Sequence, residues 1–298
     1  MQIEDKIVYS SSLFHIGRFR CPSYAPVWRE ENCNGIYPIF VFPRVPVEIR
    51  QAGYDSVLAT PNNVMLYNPL QPYTRRAVDP RGDHCEYIGI NTSTIYAAQS
   101  AKTLEGDPYQ PPRPFRRSHI PCTSQLYLAQ RLLFKLASSS ESTSSLELDS
   151  AFMNILPTLL DSVSRTGNDV ESSAKRRSQS RNRELALAAQ EYISRNHRRQ
   201  ISLEDVASYV DCSVYHLCRV FKQNTSHSVY SYIKKMRLLS SIEQVIETRI
   251  PFTQIALEFQ FSSHSHFTNA FRKAFGLTPG QLRTSPNRSK LDFLAREI

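Results

Sequence analysis

The first third of the chain alternates short apolar runs with turn-forming residues. From Lys6 to about Ile95, segments rich in β-branched and aromatic residues are interrupted at short intervals by Pro, Gly and Asn, and few stretches have helical periodicity. This pattern is typical of strands in a small sandwich or barrel. The predicted strands span residues 36–42, 45–51, 64–68 and 85–91.

Two segments farther along repeat their apolar residues every three to four positions, which predicts amphipathic helices at 125–137 and 146–163. A proline-rich irregular connection at 102–121 precedes them, so the helical pair occupies about 123–163. The two stripes consist of Leu126, Ala129, Leu133 and Leu136, and of Leu148, Phe152, Ile155 and Leu159. These faces either cover the β-rich part or form a homodimer interface, and the sequence leaves both interpretations open.

Residues 165–183 are rich in Ser, Arg, Lys and Asn and have no apolar periodicity, which indicates an interdomain linker. We interpret its basic run at 175–183 as a solvated hinge, with loose phosphate contacts as the alternative. The expected organisation is therefore an N-terminal domain at 1–163, a linker at 164–183, a C-terminal domain at 184–285 and a tail at 286–298.

The C-terminal domain begins with a predicted helix at about 184–195 and continues with two short helices joined by a tight turn. Ser202 is the expected N-cap of the first short helix, Leu203–Tyr209. Ser213 is the expected N-cap of the second, which runs to about residue 223. Two short capped helices in this order fit a helix-turn-helix unit.

The same pattern recurs about 50 residues later, and this recurrence strengthens the prediction. At an offset of 49, Val206, Ala207 and Val210 correspond to Ile255, Ala256 and Phe259. After the turn the offset is 50, and Ser213, His216, Leu217, Phe221 and Lys222 correspond to Ser263, His266, Phe267, Phe271 and Arg272. The helix-turn-helix unit is therefore present twice, with one residue inserted at the second turn.

Residues 228–247, between the two units, are predicted to form one long helix. At 1.5 Å per residue its length is about 30 Å. A connector of that length can hold two recognition helices about 34 Å apart, which is one turn of duplex DNA. Both helices can then enter adjacent major-groove segments on one face of the DNA.

Charge is unevenly distributed along the 298 residues, whose net charge is +9. Residues 1–174 contain 16 Lys and Arg against 17 Asp and Glu, whereas residues 175–298 contain 20 against 10. The entire positive excess lies in the C-terminal part, as expected if only that part contacts phosphate.

Three sequence runs in this part resemble the AraC/XylS family of transcriptional regulators. They are Ser202-Leu-Glu-Asp-Val-Ala, Leu217-Cys-Arg-Val-Phe-Lys, and Phe261-Ser-Ser-His-Ser-His-Phe-Thr-Asn-Ala-Phe-Arg-Lys-Ala-Phe-Gly-Leu-Thr-Pro after Ile255-Ala. The resemblance covers about residues 184–283. It implies an α+β protein in which a β-rich, cupin-like N-terminal domain with a helical pair binds an effector or dimerises. The all-α C-terminal domain would carry two helix-turn-helix units joined by a long helix.

The resemblance also implies which side chains contact DNA. Base-contacting positions fall on Tyr215, Cys218 and Arg219 in the first unit and on His264, Ser265, His266 and Asn269 in the second. Backbone-contacting positions fall on Ser213, Lys222, Ser263 and Arg272. Arg can pair bidentately with guanine and Asn with adenine, and an aromatic ring can contact a thymine methyl group. His264 and His266 can alternatively contact phosphate or cap the helix.

The turn of each unit departs from the family pattern, which usually has glycine there. Asp211 and Gln260 occupy these positions. A left-handed backbone is better tolerated by Asp than by Gln, for which we expect a cost of about 1 kcal/mol. The second turn is therefore expected to be slightly strained.

The ligand of the N-terminal domain is less evident from the sequence. Trp28, Tyr24, Tyr37 and Arg18 are candidates for an effector pocket, although such residues are more often ordinary core and rim. The cysteines suggest either a thiol- or metal-responsive switch or small buried residues, and none form a Cys-x-x-Cys pair. Residues 1–174 contain three histidines and no His-x-His pair, so we expect neither a metal site nor a cofactor.

The sequence thus predicts a cytoplasmic, sequence-specific DNA-binding regulator that is not an enzyme. An effector-responsive activator that acts with RNA polymerase as a homodimer is the interpretation implied by the family resemblance. The alternatives are a ligand-independent architectural DNA binder and a metal-dependent cupin enzyme fused to a DNA-binding domain. The chain has no apolar stretch approaching the eighteen or so residues that a membrane span requires, so no membrane association is expected.

Overall fold

A computed structural model of the chain describes residues 3–98, 113–139, 143–164 and 175–285, and the single residues 289, 292 and 296. The chain divides into two compact units. One comprises Met1–Thr166 with Ser285–Ile298, and the other comprises Gly167–Thr284. Each unit has a hydrophobic core of its own.

The described part of the N-terminal unit contains ten strands in two antiparallel sheets. They are β1 (Glu4–Ser10), β2 (Phe14–Cys21), β3 (Asn32–Cys33), β4 (Ile39–Pro43), β5 (Val47–Gln51), β6 (Val57–Ala59), β7 (Asn63–Tyr67), β8 (Pro72–Ala77), β9 (Asp83–Ile90) and β10 (His119–Pro121). Sheet A has the strand order β1-β2-β9-β4-β7-β10, and sheet B has the order β3-β8-β5-β6.

The two sheets pack face to face. Val47 and Ile49 of sheet B and Met65 and Tyr67 of sheet A belong to one buried cluster. Because successive side chains of a strand point to opposite faces, the alternate residues of sheet A face away from sheet B. The N-terminal unit is therefore a β-sandwich, as the strand pattern predicted.

The second face of sheet A is covered by two helices, α2 (Ser124–Ser138) and α3 (Ser145–Ser164). Phe14 of β2 stacks on Phe152 of α3 with 3.9 Å between ring centroids. All eight residues of the predicted apolar stripes are buried within this unit. The helices therefore cover the sheet, and the alternative of a homodimer interface formed by the same faces is wrong, since those faces are already occupied.

A buried carboxylate connects sheet A to α2. Glu86 of β9 accepts a hydrogen bond from Gln130 Nε2 at 2.8 Å and forms an ion pair with Arg131. Burial raises the pKa of Glu86, but the charges of Arg131 and Arg44 and the hydrogen bond from Gln130 outweigh this effect and lower the pKa below its ordinary value. Glu86 is thus charged, and its charge is compensated inside the protein.

Two short elements differ from the sequence prediction. The helix α1 (Thr92–Ala98) begins where the strand pattern was expected to continue to Ile95. Its start follows from Asn91, whose side-chain oxygen accepts hydrogen bonds from the backbone and hydroxyl of Ser93, and this outweighs the strand preference of the β-branched residues. The strand β10 lies in the segment expected to be an irregular connection and pairs with β7.

The C-terminal unit is helical throughout its described part. Its helices are α4 (Lys175–Asn196), α5 (Leu203–Tyr209), α6 (Val214–Thr225), α7 (Val229–Glu247), α8 (Phe252–Glu258), α9 (His264–Phe275) and α10 (Pro279–Thr284). The helix α4 begins nine residues earlier than expected, within the segment interpreted as linker. Its added residues are Lys, Arg, Ser, Gln and Asn without Gly or Pro, so they can continue the helix without an apolar stripe of their own.

Each half of the C-terminal unit has its own core. In the first half, Ile193 of α4 packs with Leu217 and Phe221 of α6. In the second half, Phe267, Phe271 and Phe275 of α9 form a chain of aromatic contacts with centroid distances of 5.5 and 4.4 Å. Among the residues that the structure describes, no helix combines the length and apolar character needed to cross a membrane.

Removal of one member of the buried pair should destabilise the N-terminal unit strongly. Arg131→Met leaves the Glu86 carboxylate buried without its main countercharge, so we expect a loss of about 3–5 kcal/mol in the free energy of unfolding. Adding Glu86→Gln to this variant removes the charge and should recover much of the loss. Denaturant unfolding followed by the fluorescence of Trp28, the sole tryptophan of the chain, reports on this unit. Equal stabilities of the single and double variants would contradict the prediction.

Candidate nucleic-acid interface and interior cavity

The first helix-turn-helix unit consists of α5 and α6, each with a serine N-cap. The Ser202 hydroxyl accepts a hydrogen bond from the Asp205 backbone at 3.1 Å, and the Asp205 carboxylate accepts one from the Ser202 backbone at 2.8 Å. This reciprocal capping box fixes the start of α5. The Ser213 hydroxyl accepts from the backbone of His216 at 3.2 Å and fixes the start of α6.

The second unit, α8 and α9, repeats the cap of the recognition helix and the turn, whereas α8 begins after Pro251 without a side-chain cap. The Ser263 hydroxyl accepts from the backbone of His266 at 3.0 Å. The turns also match, since Cys212 N donates to Ala207 O at 3.0 Å and Phe261 N donates to Ala256 O at 2.8 Å. The sequence offsets of 49 and 50 therefore correspond to a structural repeat.

Both turns contain a left-handed residue where the sequence analysis placed it. The φ angle is 49° at Asp211 and 58° at Gln260. The recognition helices also end alike, because Ser226 and Gly276, 50 residues apart, have φ angles of 59° and 77°. Gln260 has a long side chain in a conformation that favours glycine, so its turn is the more strained of the two.

The polar face of α6 presents the residues expected to contact bases. Tyr215 is 80% exposed, Arg219 is exposed and Cys218 is half-buried. The Arg219 Nη2 atom lies 3.3 Å from Nδ1 of His216. The α6 sequence contains Arg219 and Lys222 but no acidic residue, so this face carries only positive charge.

The polar face of α9 is built from shorter side chains. His264, Ser265 and Asn269 are exposed, whereas His266 is half-buried with its Nδ1 atom 2.9 Å from the hydroxyl of Ser262. The α9 sequence also lacks acidic residues and contains Arg272 and Lys273, both exposed. The contact between His266 and Ser262 ties this side chain to the turn, while the N-cap of α9 is Ser263.

The expected backbone-contacting residues lie at the two ends of these faces. Ser213 and Ser263 are exposed at the helix starts, and Lys222 and Arg272 are exposed two turns later. Each serine oxygen accepts a backbone hydrogen bond, which leaves its hydroxyl proton available to donate to a phosphate.

Two further residues belong to these faces and were missed by the sequence analysis. His216 contacts Arg219 and can orient its guanidinium. Thr268 is half-buried on α9 with its hydroxyl 3.3 Å from Nε2 of His264. The signal for Thr268 was present, because the offset of 50 places it at the position equivalent to Cys218.

The N-terminal unit contains a cavity of about 440 Å³ between the two sheets. Its walls include Val41 and Ile49 together with the aromatic rings of Tyr67, Tyr73 and Tyr87. A volume of this size is typical of sites for small molecules, which are mostly apolar with a few polar groups. Burial raises the pKa of Tyr73 to about 12, so its hydroxyl is protonated at neutral pH.

A buried ion pair lies in the wall of the cavity. Arg75 Nη1 donates to Asp83 Oδ2 at 2.7 Å, and the guanidinium lies 4.7 Å from the Phe19 ring centroid and 4.9 Å from that of Trp28. The Arg75 Nε atom is buried and has no hydrogen-bond partner among the described residues. Burial raises the pKa of Asp83 above its ordinary value, an effect that Arg75 counteracts only in part.

The four residues expected to line an effector pocket are dispersed. Tyr37 lines the cavity, whereas Trp28 lies behind Arg75 and donates from its indole to Pro22 O at 2.7 Å. Tyr24 is 72% exposed, and Arg18 is paired with Glu4 at 2.8 Å; neither lines the cavity. The sequence did not indicate Arg75 or Asp83, because their contact joins β8 of sheet B to β9 of sheet A and therefore depends on how the two sheets pack.

The cysteines and possible metal ligands are also distributed through the structure. Cys21, Cys85 and Cys122 are buried and Cys33 is exposed. Burial raises the pKa of Cys21 and Cys85, which lowers the reactivity of their thiols. Within the described ranges, no group of three or more His, Cys, Asp and Glu side chains is placed to hold a metal ion.

Comparison with known proteins assigns the C-terminal unit. Residues 206–285 match the family model described as a helix-turn-helix domain. The chain is 40% identical over 89 residues to the right origin-binding protein of Escherichia coli K12, a match that covers 30% of this chain and 31% of that protein. It is 34% identical over 83 residues to the probable transcription factor PqrA of Proteus vulgaris, which covers 28% of this chain and 68% of PqrA.

A solved structure is also similar to part of the chain. The C-terminal domain of AraT, a response regulator from Geobacillus stearothermophilus, is 29% identical with a TM-score of 0.32, covering 33% of this chain and 83% of that chain. The double helix-turn-helix unit and these sequence matches define a DNA-binding protein. The chain belongs to the AraC/XylS family of transcriptional regulators. Its match spans about a third of the length of the right origin-binding protein.

Glycine at the strained turn should stabilise the C-terminal unit. Gln260→Gly removes the steric cost of a left-handed side chain, and we expect the free energy of unfolding to rise by about 0.5–1 kcal/mol. Asp211→Gly is the matched control and should change stability less, since Asp tolerates this conformation better. Denaturant unfolding followed by far-ultraviolet circular dichroism compares the two. A loss of stability in Gln260→Gly would show that the turn is not strained.

Proposed function

We propose that the protein is a sequence-specific transcriptional regulator that inserts α6 and α9 into adjacent major-groove segments of one DNA duplex. The observation that supports this most directly is the pair of recognition helices, which have matching caps and turns and polar faces without acidic residues. Their positive charge suits the phosphate backbone, and their exposed side chains suit base edges.

The two helices would make different base contacts. On α6, Arg219 would pair bidentately with guanine, with Tyr215 against a thymine methyl group and Cys218 beside them. On α9, Asn269 would pair with adenine, while His264, Ser265 and His266 contact nearby base edges or phosphates. Ser213, Lys222, Ser263 and Arg272 would hold the helices in register through phosphate contacts.

The cavity supports an effector-responsive regulator over a ligand-independent architectural binder. We propose that a small molecule binds between the two sheets of the N-terminal unit and changes the activity of the protein at its promoters. As part of this proposal, the protein acts in the cytoplasm as a homodimeric activator together with RNA polymerase. Since α2 and α3 are buried against sheet A, the dimer would use a surface other than their apolar stripes.

Substitutions on the polar faces should lower affinity selectively. Arg219→Ala or Asn269→Ala is expected to weaken binding to a duplex selected in vitro with the wild-type protein by about 1–3 kcal/mol, with a smaller effect on unrelated DNA. The reason is that base contacts are lost while phosphate contacts remain. Fluorescence anisotropy with both duplexes measures the difference.

Lys222→Ala is the matched control, because it removes a positive charge from the same helix as Arg219→Ala. It should weaken binding to both duplexes alike and reduce the slope of affinity against salt by about 0.9. If Arg219→Ala and Asn269→Ala behave in the same way as Lys222→Ala, their assignment to base contacts fails.

Filling the cavity should abolish the response to small molecules. Compounds from a library that raise the melting temperature of the wild-type protein should have no effect on Val41→Trp, whose indole would occupy the cavity. Val41→Leu is the control and should retain the response, because it changes the cavity volume little. A compound that stabilises Val41→Trp as much as the wild type binds elsewhere.

A further inference from the structure

The middle of α7 contains an arginine that contacts both halves of the C-terminal unit. Arg237 donates from Nε to the carbonyl of His197 at 2.8 Å and from Nη2 to the carbonyl of Arg199 at 2.9 Å. It also donates from Nη1 to the carbonyl of Gln260 at 3.3 Å. Its three acceptors are backbone carbonyl oxygens, so these hydrogen bonds fix the position of the backbone and not only that of side chains.

Two of these carbonyls have positions that are fixed relative to the first recognition helix, α6. His197 and Arg199 lie in the turn that follows α4. The helix α4 packs into the same core as α6, since Ile193 and Leu217 belong to one buried cluster. The turn at 197–199 is thereby held in a fixed position relative to α6.

The third carbonyl has a position that is fixed relative to the second recognition helix, α9. Gln260 is the left-handed residue of the turn between α8 and α9. The backbone of this turn is fixed by the bond from Phe261 N to Ala256 O. Arg237 therefore links the turn before the first unit to the turn inside the second.

A second contact joins the turn after α4 to the C-terminal end of α8. Arg198 Nη1 lies 3.1 Å from Glu258 Oε1, and the Arg198 guanidinium lies 4.9 Å from the ring centroid of Phe259. Glu258 also accepts hydrogen bonds from Gln244 of α7 at 2.7 Å. The ion pair is partly exposed and contributes little by itself, so Arg237, with three hydrogen bonds, is the stronger of these two polar contacts.

The covalent connection between the halves is α7 alone. Its 19 residues span about 28 Å, and helices of this length bend. The planar guanidinium of Arg237 holds three acceptors at fixed angles, which a single ammonium group cannot reproduce. The three hydrogen bonds of Arg237 therefore limit the bending of α7 and the rotation of one half of the C-terminal unit relative to the other.

We propose that Arg237 is a positioning residue that sets the distance and rotational phase between α6 and α9, and hence the spacing of the two DNA segments that the protein recognises. This inference rests on the proposed function, since it requires that both helices bind one duplex. Binding of the second helix is then an intramolecular step, whose advantage depends on correct geometry. Loss of Arg237 therefore reduces the affinity gained from binding both helices to one duplex, while the polar faces of α6 and α9 remain unchanged.

The test is in vitro selection with the full-length protein from random duplexes of about three helical turns. Wild type, Arg237→Gln and Arg237→Lys are compared with Arg249→Gln, which removes the same charge from an exposed arginine of the connection between α7 and α8. The wild type and Arg249→Gln should select two motifs at one spacing. Both Arg237 variants should select the same motifs at several spacings and bind the wild-type site roughly tenfold more weakly.

Binding to duplexes with one motif scrambled, called half-sites, distinguishes a positioning role from a loss of stability. The Arg237 variants should bind these half-sites as tightly as the wild type does. Equal losses on full and half-sites with one retained spacing would indicate a merely structural role and overturn the proposal. Arg237→Lys retains the charge and provides a second, milder variant if Arg237→Gln folds poorly.

Failure of the proposed function gives a different result. If the wild type selects no motif, sequence-specific binding itself is contradicted, and the inference falls with it. If the wild type selects only one motif, DNA recognition stands but the positioning role of Arg237 is overturned.

Discussion

Burial of the apolar face of each recognition helix is the constraint on which the rest of the C-terminal unit depends. Leu217 and Phe221 in α6, and Phe267 and Phe271 in α9, are fully buried. Each such side chain contributes about 1.5–3 kcal/mol on burial, so the rotation of the helix about its axis is strongly determined. Once that rotation is set, the residues one to two positions away must face outward, and these are the polar residues proposed to contact DNA.

This dependence explains why the outward-facing residues of the two helices were predictable. The caps Ser202 and Ser213, the turns and the apolar positions are all local signals, and each is visible within a few residues of sequence. The start of α4 was less predictable, because Lys and Arg favour a helix without producing an apolar stripe. Arg237 could not be assigned either, since its acceptors lie 23 to 40 residues away in the chain.

The cavity shows the same limit in the β-sandwich. Asp83 and Glu86 belong to one strand, β9, yet the alternation of the strand directs them to opposite faces of sheet A. Glu86 faces α2, where Arg131, Arg44 and Gln130 together lower its pKa. Asp83 lines the cavity, and its pKa stays raised because one arginine does not offset its burial. Local sequence contains both acids, but it does not show which basic side chains the fold places beside each of them.

The two recognition helices share a scaffold but differ in chemistry, and under the proposed function this difference would favour recognition by the pair over recognition by either alone. The helix α6 presents Arg219 and Tyr215, long side chains that would reach base edges from a distance. The helix α9 presents Ser265 and Asn269, short side chains that require close approach of the backbone. A helix with short contacts tolerates less error in its placement, so the precision of its position relative to α6 matters most. The contact between Arg237 and the turn before α9 lies where that precision is determined.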